Sequence, residues 1–324
     1  MKRNTSRSES RYNRKRQKIL QKPIIAPKTF RKKELQQVPQ PSEAVATYER
    51  HFASFQPGEG NNINALSHFP TLLKPTPEEL TSYHDAQSGK RLFDLLGKGA
   101  QLHNITDAQL DMHYKVLDKV DQRVLTNLAK TRGVKKPGRG FIGAVGKRFD
   151  YAQTKESGKQ VLVDSAKHHD CTDDEYCGFR QSVQFLANTL THAIKSFSPH
   201  EIIEQEAHMD VLTSTPGTAS FAFPMALVSK HGSYGVHKDE RDISRTFWLV
   251  LGEAGIVFPE YGVSVKLAHG DIVAFDGKAL WHAATSHPNP PKQHRQIIVA
   301  LYYQSQQDSY FYTNLENLSG TNAT

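Results

Sequence analysis

The fold turns on one stretch, TFWLVLGEAGIVFPEYGVSVKLAHGDIVAFD, running from Thr246 to Asp276. Within it Thr246–Leu251, Gly255–Phe258, Val263–Leu267 and Asp271–Asp276 are short runs of β-branched and aromatic residues. Gly, Pro, Asp or Asn separate them, as at strand ends. The same texture extends upstream to Phe221–Val228 and downstream to Ala279–Ala284 and Gln296–Tyr303. Many short strands at close spacing predict a β-sandwich or barrel over residues 218–304.

Outward from this core, the pattern turns helical. Thr76-Pro77-Glu78-Glu79 has an N-cap residue, proline at the first helical position and a capping-box Glu. Thr106 with Gln109 repeats that logic. Leu110, Tyr114, Leu117, Val124 and Leu128 then recur at helical spacing, with Gly133 where a C-cap belongs. Phe179, Val183, Leu186, Leu190 and Ile194 form a second apolar face, and Ser198-Pro199 with Glu201 starts another capped helix. The expectation is an α+β fold: helices from residues 75–210 packed on a C-terminal β-core as one domain over 46–304, with a polar tail at 305–324.

Residues 1–34 hold 13 Lys/Arg against two acids, a net +11 out of +8 for the whole chain, so the remainder sums to −3. The basicity belongs to an arm. Residues 1–45 read as disordered, and a basic arm attracts nucleic acid by neutralising phosphates. Lys2-Arg3, followed after ten residues by Arg14-Lys15-Arg16-Gln17-Lys18, has the form of a bipartite nuclear import signal. No run of 18 apolar residues suggests a membrane span. The N-terminus lacks the apolar segment of a secretory signal. The two cysteines, Cys171 and Cys177, read as reduced thiols in a reducing compartment. The run from Lys130 to Arg148 is rich in glycine and in basic residues, Arg139 and Arg148 among them. It matches no nucleotide-binding loop, and it reads either as a flexible surface loop or as a phosphate contact.

The chemistry lies in Gly235-Val-His237-Lys-Asp239-Glu-Arg-Asp242. His-x-Asp at a strand end puts an imidazole and a carboxylate on one side of the chain. His168/Asp170 and His208/Asp210 share this spacing, but only His237/Asp239 lies between strand patterns. A histidine from a later strand, His282 in Leu280-Trp281-His282, would complete the facial triad of a non-haem iron(II) oxygenase, with positions left for an oxoacid and dioxygen. Arg295, opening the last strand, could grip the distal carboxylate of 2-oxoglutarate through its guanidinium. His282 and Arg295 could instead be a core histidine and a surface cation. His269, His287 and His294 are lesser candidates for the third ligand.

These features, with Gly270-Asp-Ile-Val-Ala-Phe-Asp-Gly277, resemble the TET/JBP family of nucleic-acid-modifying dioxygenases, in particular its small single-domain members. The resemblance is sharpest over residues 221–304 and weaker over 133–152. It implies a double-stranded β-helix (jelly-roll or cupin-like) core. It also implies oxidation of the methyl group of 5-methylcytosine in DNA to 5-hydroxymethylcytosine, and further to the formyl and carboxyl forms. By motif position, His237, Asp239 and His282 match the iron ligands and Arg295 the residue that binds 2-oxoglutarate. Dioxygen is the co-reactant, and ascorbate is expected to help. Asp242 matches a carboxylate accepting from the amino group of a flipped base; a turn-capping role is the alternative. The sequence departs from its small relatives where they carry a base-contacting histidine. Here the place falls near Tyr303, beside Tyr302, and a tyrosine can stack on a base. Arg139 and Arg148 would meet phosphates. Methylated DNA is the expected partner, the expected compartment the nucleus and the expected state a monomer. The alternatives are an oxygenase of the same fold acting on N6-methyladenine, RNA or a protein, and a non-catalytic nucleic-acid-binding protein.

Overall fold

The computed structural model describes residues 41–49, 71–120, 141–149, 162–164, 173–203, 205, 223, 225–230, 236–285 and 296–303. All fall within the unit Pro39–Thr324. Its strands are β1 Ser42–Tyr48, β2 Thr71–Leu73, β3 Glu79–Asp85, β4 Arg91–Leu96, β5 Phe141–Phe149, β6 Leu162–Asp164, β7 Met225–Lys230, β8 Thr246–Leu251, β9 Ala254–Phe258, β10 Val263–Leu267, β11 Ile272–Phe275, β12 Ala283–Thr285 and β13 Ile297–Tyr302. The helices are α1, Asp107–Lys119, and α2, Asp173–Phe197, with a further helical turn over 199–203. None of the described helices is long and apolar enough to cross a membrane.

Nine strands form a large sheet in the order β1-β3-β4-β11-β8-β13-β7-β5-β6, and four form a small one, β12-β9-β10-β2. From β7 to β13 the chain visits large, small, large, small, small, large, small, large. The small-sheet position after β7 is a single bridge at His237. That sequence of visits, with antiparallel neighbours β11-β8-β13-β7 and β12-β9-β10, is a double-stranded β-helix.

Alternation along each strand sorts the side chains. Trp248, Val250, Val273, Phe275, Ile298, Ala300 and Tyr302 point between the sheets and meet Ile256, Phe258, Val263 and Val265 of the small sheet. Phe247, Leu249, Leu251, Ile297, Val299 and Leu301 point the other way, onto the α2 face of Phe179, Val183, Leu186, Leu190 and Ile194. Both faces are buried, which is why these strands read as continuous apolar runs. Each large side chain removed from water stabilises by roughly 1.5–3 kcal/mol. Lys230, at the end of β7, docks α1 by donating to the carbonyls of Leu117 and Asp118.

Thr106 caps α1 as its sequence indicates. Its hydroxyl accepts from the Gln109 N–H at 3.2 Å and the Gln109 side chain accepts from the Thr106 N–H at 2.9 Å. Helix α1 ends at Lys119, so Val124 and Leu128 do not extend it; these residues and Gly133 lie outside the described residues.

Three expectations need correction. Thr76-Pro-Glu-Glu starts no helix. Pro77 bridges Gly97, Glu78 takes a left-handed conformation (φ 61°) and donates to the Gly97 carbonyl at 2.7 Å, and the chain enters β3. A Cβ on Gly97 would lie 2.3 Å from the Thr76 oxygen, so only glycine permits this approach. Pairing of β3 with β4 in a hairpin, and with the sequence-distant β1, here overrides a local capping pattern. Residues 42–48, 71–73, 79–85 and 91–96 therefore supply strands, and β1 begins inside the arm expected to be disordered to residue 45. The end of the glycine-rich run is no surface loop either: Phe141–Phe149 is β5, paired with β7 in the large sheet.

Candidate metal centre

His237 and His282 face each other across one antiparallel bridge. Each N–H donates to the other's carbonyl at 3.0 Å, the hydrogen-bonded type of pair, which projects both side chains to one face. The imidazole centroids lie 4.5 Å apart. Asp239, two residues beyond His237, returns to the same side, and its N–H donates to the Gly277 carbonyl at 2.9 Å. Ligand atoms of the three residues lie within 4.8 Å of one another. Both histidines aim Nε2 at the same carboxylate: His282 Nε2 is 3.3 Å from Asp239 Oδ2 and His237 Nε2 is 3.7 Å from Oδ1.

The tautomer of His282 follows from its partner. Nδ1 lies 3.0 Å from the Leu280 carbonyl, which can only accept. Nδ1 therefore carries the proton and Nε2 keeps its lone pair, the arrangement that a metal-binding imidazole needs. The ring is 1 % exposed and packs on Phe275 at 4.7 Å between centroids, and Trp248 meets Phe275 edge-on. His237 and Asp239 are each about two-fifths exposed in their side chains, so the group has one buried and two accessible members. Two neutral nitrogens and one carboxylate fit a divalent first-row ion such as iron(II), and ligands grouped on one side leave coordination positions for other molecules.

Backbone and neighbouring side chains hold this group in ways that sequence reasoning did not reach. A Cβ on Gly277 would lie 3.0 Å from Thr246 Oγ1 and 3.2 Å from Asp239 Oδ2, so glycine lets the 276–279 turn press against the ligand. On the opposite side of the ligand strands, Lys238 sits 5.2 Å from the centre of the Trp281 ring and 3.9 Å from Glu260. Glu260 also accepts from the Trp281 N–H at 3.4 Å. Lys238 and Trp281 each neighbour a ligand in sequence, so the buried Glu260 ties the two strands together. The visible signal was alternation: residues between ligands share the outer face.

Asp242 is buried. Its N–H donates to the Asp239 carbonyl at 2.9 Å, and its Oδ2 accepts from the Thr246 hydroxyl at 3.0 Å. It lines, with Lys238, Asp239, Glu240 and Arg241, a cleft of about 280 Å³ beside the ligands. Tyr303 is fully buried and its carbonyl accepts from Ile243, so it offers no open ring for a base. Arg148 lies in β5 opposite Val163. Arg295, Arg139, His287, His294 and the pairs His168/Asp170 and His208/Asp210 lie outside the described residues. His269 is engaged elsewhere: its Nδ1 accepts from the Gly252 N–H at 3.1 Å, and its Nε2 faces Asp111 of α1.

No protein-family model matches the chain, and no curated protein matches it. Among solved structures, 70 % of the chain aligns with 77 % of NgTET1 in complex with 5mC DNA, at a TM-score of 0.45 and 12 % identity. A 2OG-Fe(II) oxygenase family oxidoreductase from Burkholderia pseudomallei aligns over 64 % of this chain and 88 % of its own, at a TM-score of 0.31 and 10 % identity.

Proposed function

We propose that the chain is an iron(II)- and 2-oxoglutarate-dependent oxygenase that oxidises the methyl group of 5-methylcytosine in DNA. The observation that carries this reading is the convergence of His237, Asp239 and His282, with the His282 tautomer set so that Nε2 is the donor. When bound, iron(II) with 2-oxoglutarate and dioxygen supplies the oxidising power to hydroxylate a C–H bond; the protein supplies binding, orientation and exclusion of water. His237, Asp239 and His282 hold the ion. Arg295, on its sequence position, pairs with the distal carboxylate of the oxoacid. Asp242 lines the adjacent cleft with its carboxylate oriented by Thr246. A carboxylate only accepts at neutral pH, so it favours a base with an exocyclic amine, such as cytosine, over thymine.

A duplex base must leave the stack to reach such a site, at a cost of a few kcal/mol. The basic arm, with Arg139 and Arg148, offsets part of that through phosphate contacts. The same arm directs the protein to the nucleus, where it acts as a monomer. The test is mass spectrometry of nucleosides after incubation with iron(II), 2-oxoglutarate and ascorbate, in parallel on DNA containing 5-methylcytosine, DNA containing N6-methyladenine, and methylated RNA. 5-Hydroxymethylcytosine is expected from the first substrate. Product only from the second or third transfers the activity to that substrate. Absence of product from all three, with no succinate formed, refutes the reading.

A further inference from the structure

Gln296 immediately precedes β13, and the alternation of that strand carried back by one residue puts it on the side of Ile298, Ala300 and Tyr302, between the sheets. It is 3 % exposed, and among the described residues neither Nε2 nor Oε1 has a hydrogen-bond partner. A primary amide brings two donors and an acceptor. Leaving such groups buried and unpaired is unfavourable, because their desolvation goes uncompensated. The inward residues of β13, Ile298, Ala300 and Tyr302, show that largely apolar side chains pack well along this face. A buried amide at this position therefore calls for a partner that the described residues do not supply.

The position identifies that partner's chemistry. Ile297 pairs with Leu251 at the end of β8, and β9 begins after Gly252-Glu253 with Gly255 opposite Thr285. Gln296 and Thr285 therefore lie at the same end of the β-helix. His282 is three residues from Thr285 along the small sheet, roughly 10 Å at the usual strand rise. The interior wall between them is apolar: Ala284, Ile256, Val250 and Ile298. Ser229, cross-strand from Ile298, adds a hydroxyl to the same wall. A ligand held at the metal by one end and reaching inward meets apolar walls along its length and an amide at its far end. A short aliphatic dicarboxylate has that order of chemistry.

We propose that Gln296 binds the distal carboxylate of the 2-oxo dicarboxylate, donating from Nε2 to a carboxylate oxygen. This rests on the oxygenase reading and assigns the carboxylate-binding end of that site to a residue of the described chain. Ligand binding then satisfies the amide that the free protein leaves unpaired. The cost borne by the free protein and the affinity gained on binding have one origin.

The test uses full-length protein loaded with manganese(II) without oxygen, titrated calorimetrically with 2-oxoglutarate and with 2-oxobutyrate, which lacks the distal carboxylate. Gln296→Leu should weaken 2-oxoglutarate binding about tenfold or more, the loss expected for one charge-assisted hydrogen bond. Its 2-oxobutyrate and manganese affinities should stay within about twofold on the same grounds. The free variant should melt at or above the parent's temperature, because the unpaired amide is gone. Gln296→Glu keeps the shape and sets a second carboxylate against the first, so its loss for 2-oxoglutarate should be larger again. Parental 2-oxoglutarate affinity in both variants refutes the role of Gln296 and leaves the oxygenase reading standing. A parent that binds manganese but no 2-oxoglutarate overturns both.

Discussion

The large sheet is held by long ladders and buried on both faces, whereas the candidate ligands are joined by one bridge of two hydrogen bonds. Ladder β13–β7 pairs six residues, from Ile297 with Lys230 to Tyr302 with Met225, and β13 pairs five with β8 on its other side. The small-sheet ladder β12–β9 pairs three, and His237 meets it only at His282. Cohesion is concentrated in the first region. In the second, ligand placement depends on a few backbone contacts, chiefly the carbonyls of Gly277 and Leu280. The difference teaches that stability and metal affinity should respond to different substitutions.

The largest effect belongs to the ligands. Alanine at His237, Asp239 or His282 should abolish stoichiometric iron binding, measured by elemental analysis of purified protein. The variants should keep the far-ultraviolet circular dichroism of the parent. Iron retained by His282→Ala would move the third ligand to His287 or His294. On the other side of the comparison, Phe247 is fully buried between the large sheet and α2, near Phe197 and Phe223. Phe247→Ala should cost about 3–5 kcal/mol in denaturant unfolding with unchanged metal affinity in the folded protein. A parallel fall in metal affinity would break the division between the two sheets.

A smaller effect separates the regions by pH. Burial pushes the Glu201 carboxyl up to about 7. Arg245 opposes that shift and Asp94 adds to it. A carboxyl whose folded pKa is raised favours folding while protonated. Its contribution is fully present below the usual value near 4.5 and is lost as pH rises through 7. Glu201→Gln should remove that slope, raising stability at pH 8 relative to the parent by on the order of 1–3 kcal/mol. Metal affinity at fixed pH should not follow. Asp271, raised to about 6 by burial, keeps a residual slope of the same sign in the variant. An unchanged stability profile in Glu201→Gln would show that Glu201 is ionised without penalty.

Smallest in stability, and sharpest in location, is Gly277→Ala. Its methyl group must displace Thr246 Oγ1 or Asp239 by a few tenths of an ångström. Unfolding should change by about 1 kcal/mol, while metal affinity falls several-fold. The reverse ordering, a large stability loss with intact affinity, would place Gly277 with the scaffold.

The β-core was legible because its strands are short apolar runs closed by Gly, Asp and Pro, as at Gly252-Glu253 and Gly270-Asp271. The grouping of His237, Asp239 and His282 was legible because side-chain identity and order carry it. Residues 76–96 depart from the helical expectation because the capping signals at Thr76–Glu79 compete with a β3–β4 hairpin and with pairing to the sequence-distant β1. The contacts made by Gly277 and Leu280 escaped notice because a carbonyl acceptor leaves no mark on sequence. Gln296 went unremarked because its meaning depends on burial and on which face of β13 it occupies.

The bridge between His237 and His282 also bears on how the chain holds itself closed. These residues are 45 positions apart, and bringing the ends of such a loop together costs roughly 3 kcal/mol in chain entropy. Two backbone hydrogen bonds return only part of this after exchange with water. An ion gripping both imidazoles and Asp239 would act as a reversible crosslink, tying off the loop much as a disulfide does. Chelation would cut that tie, and the resulting fall in melting temperature would measure the strength of the knot independently of any reaction the centre performs.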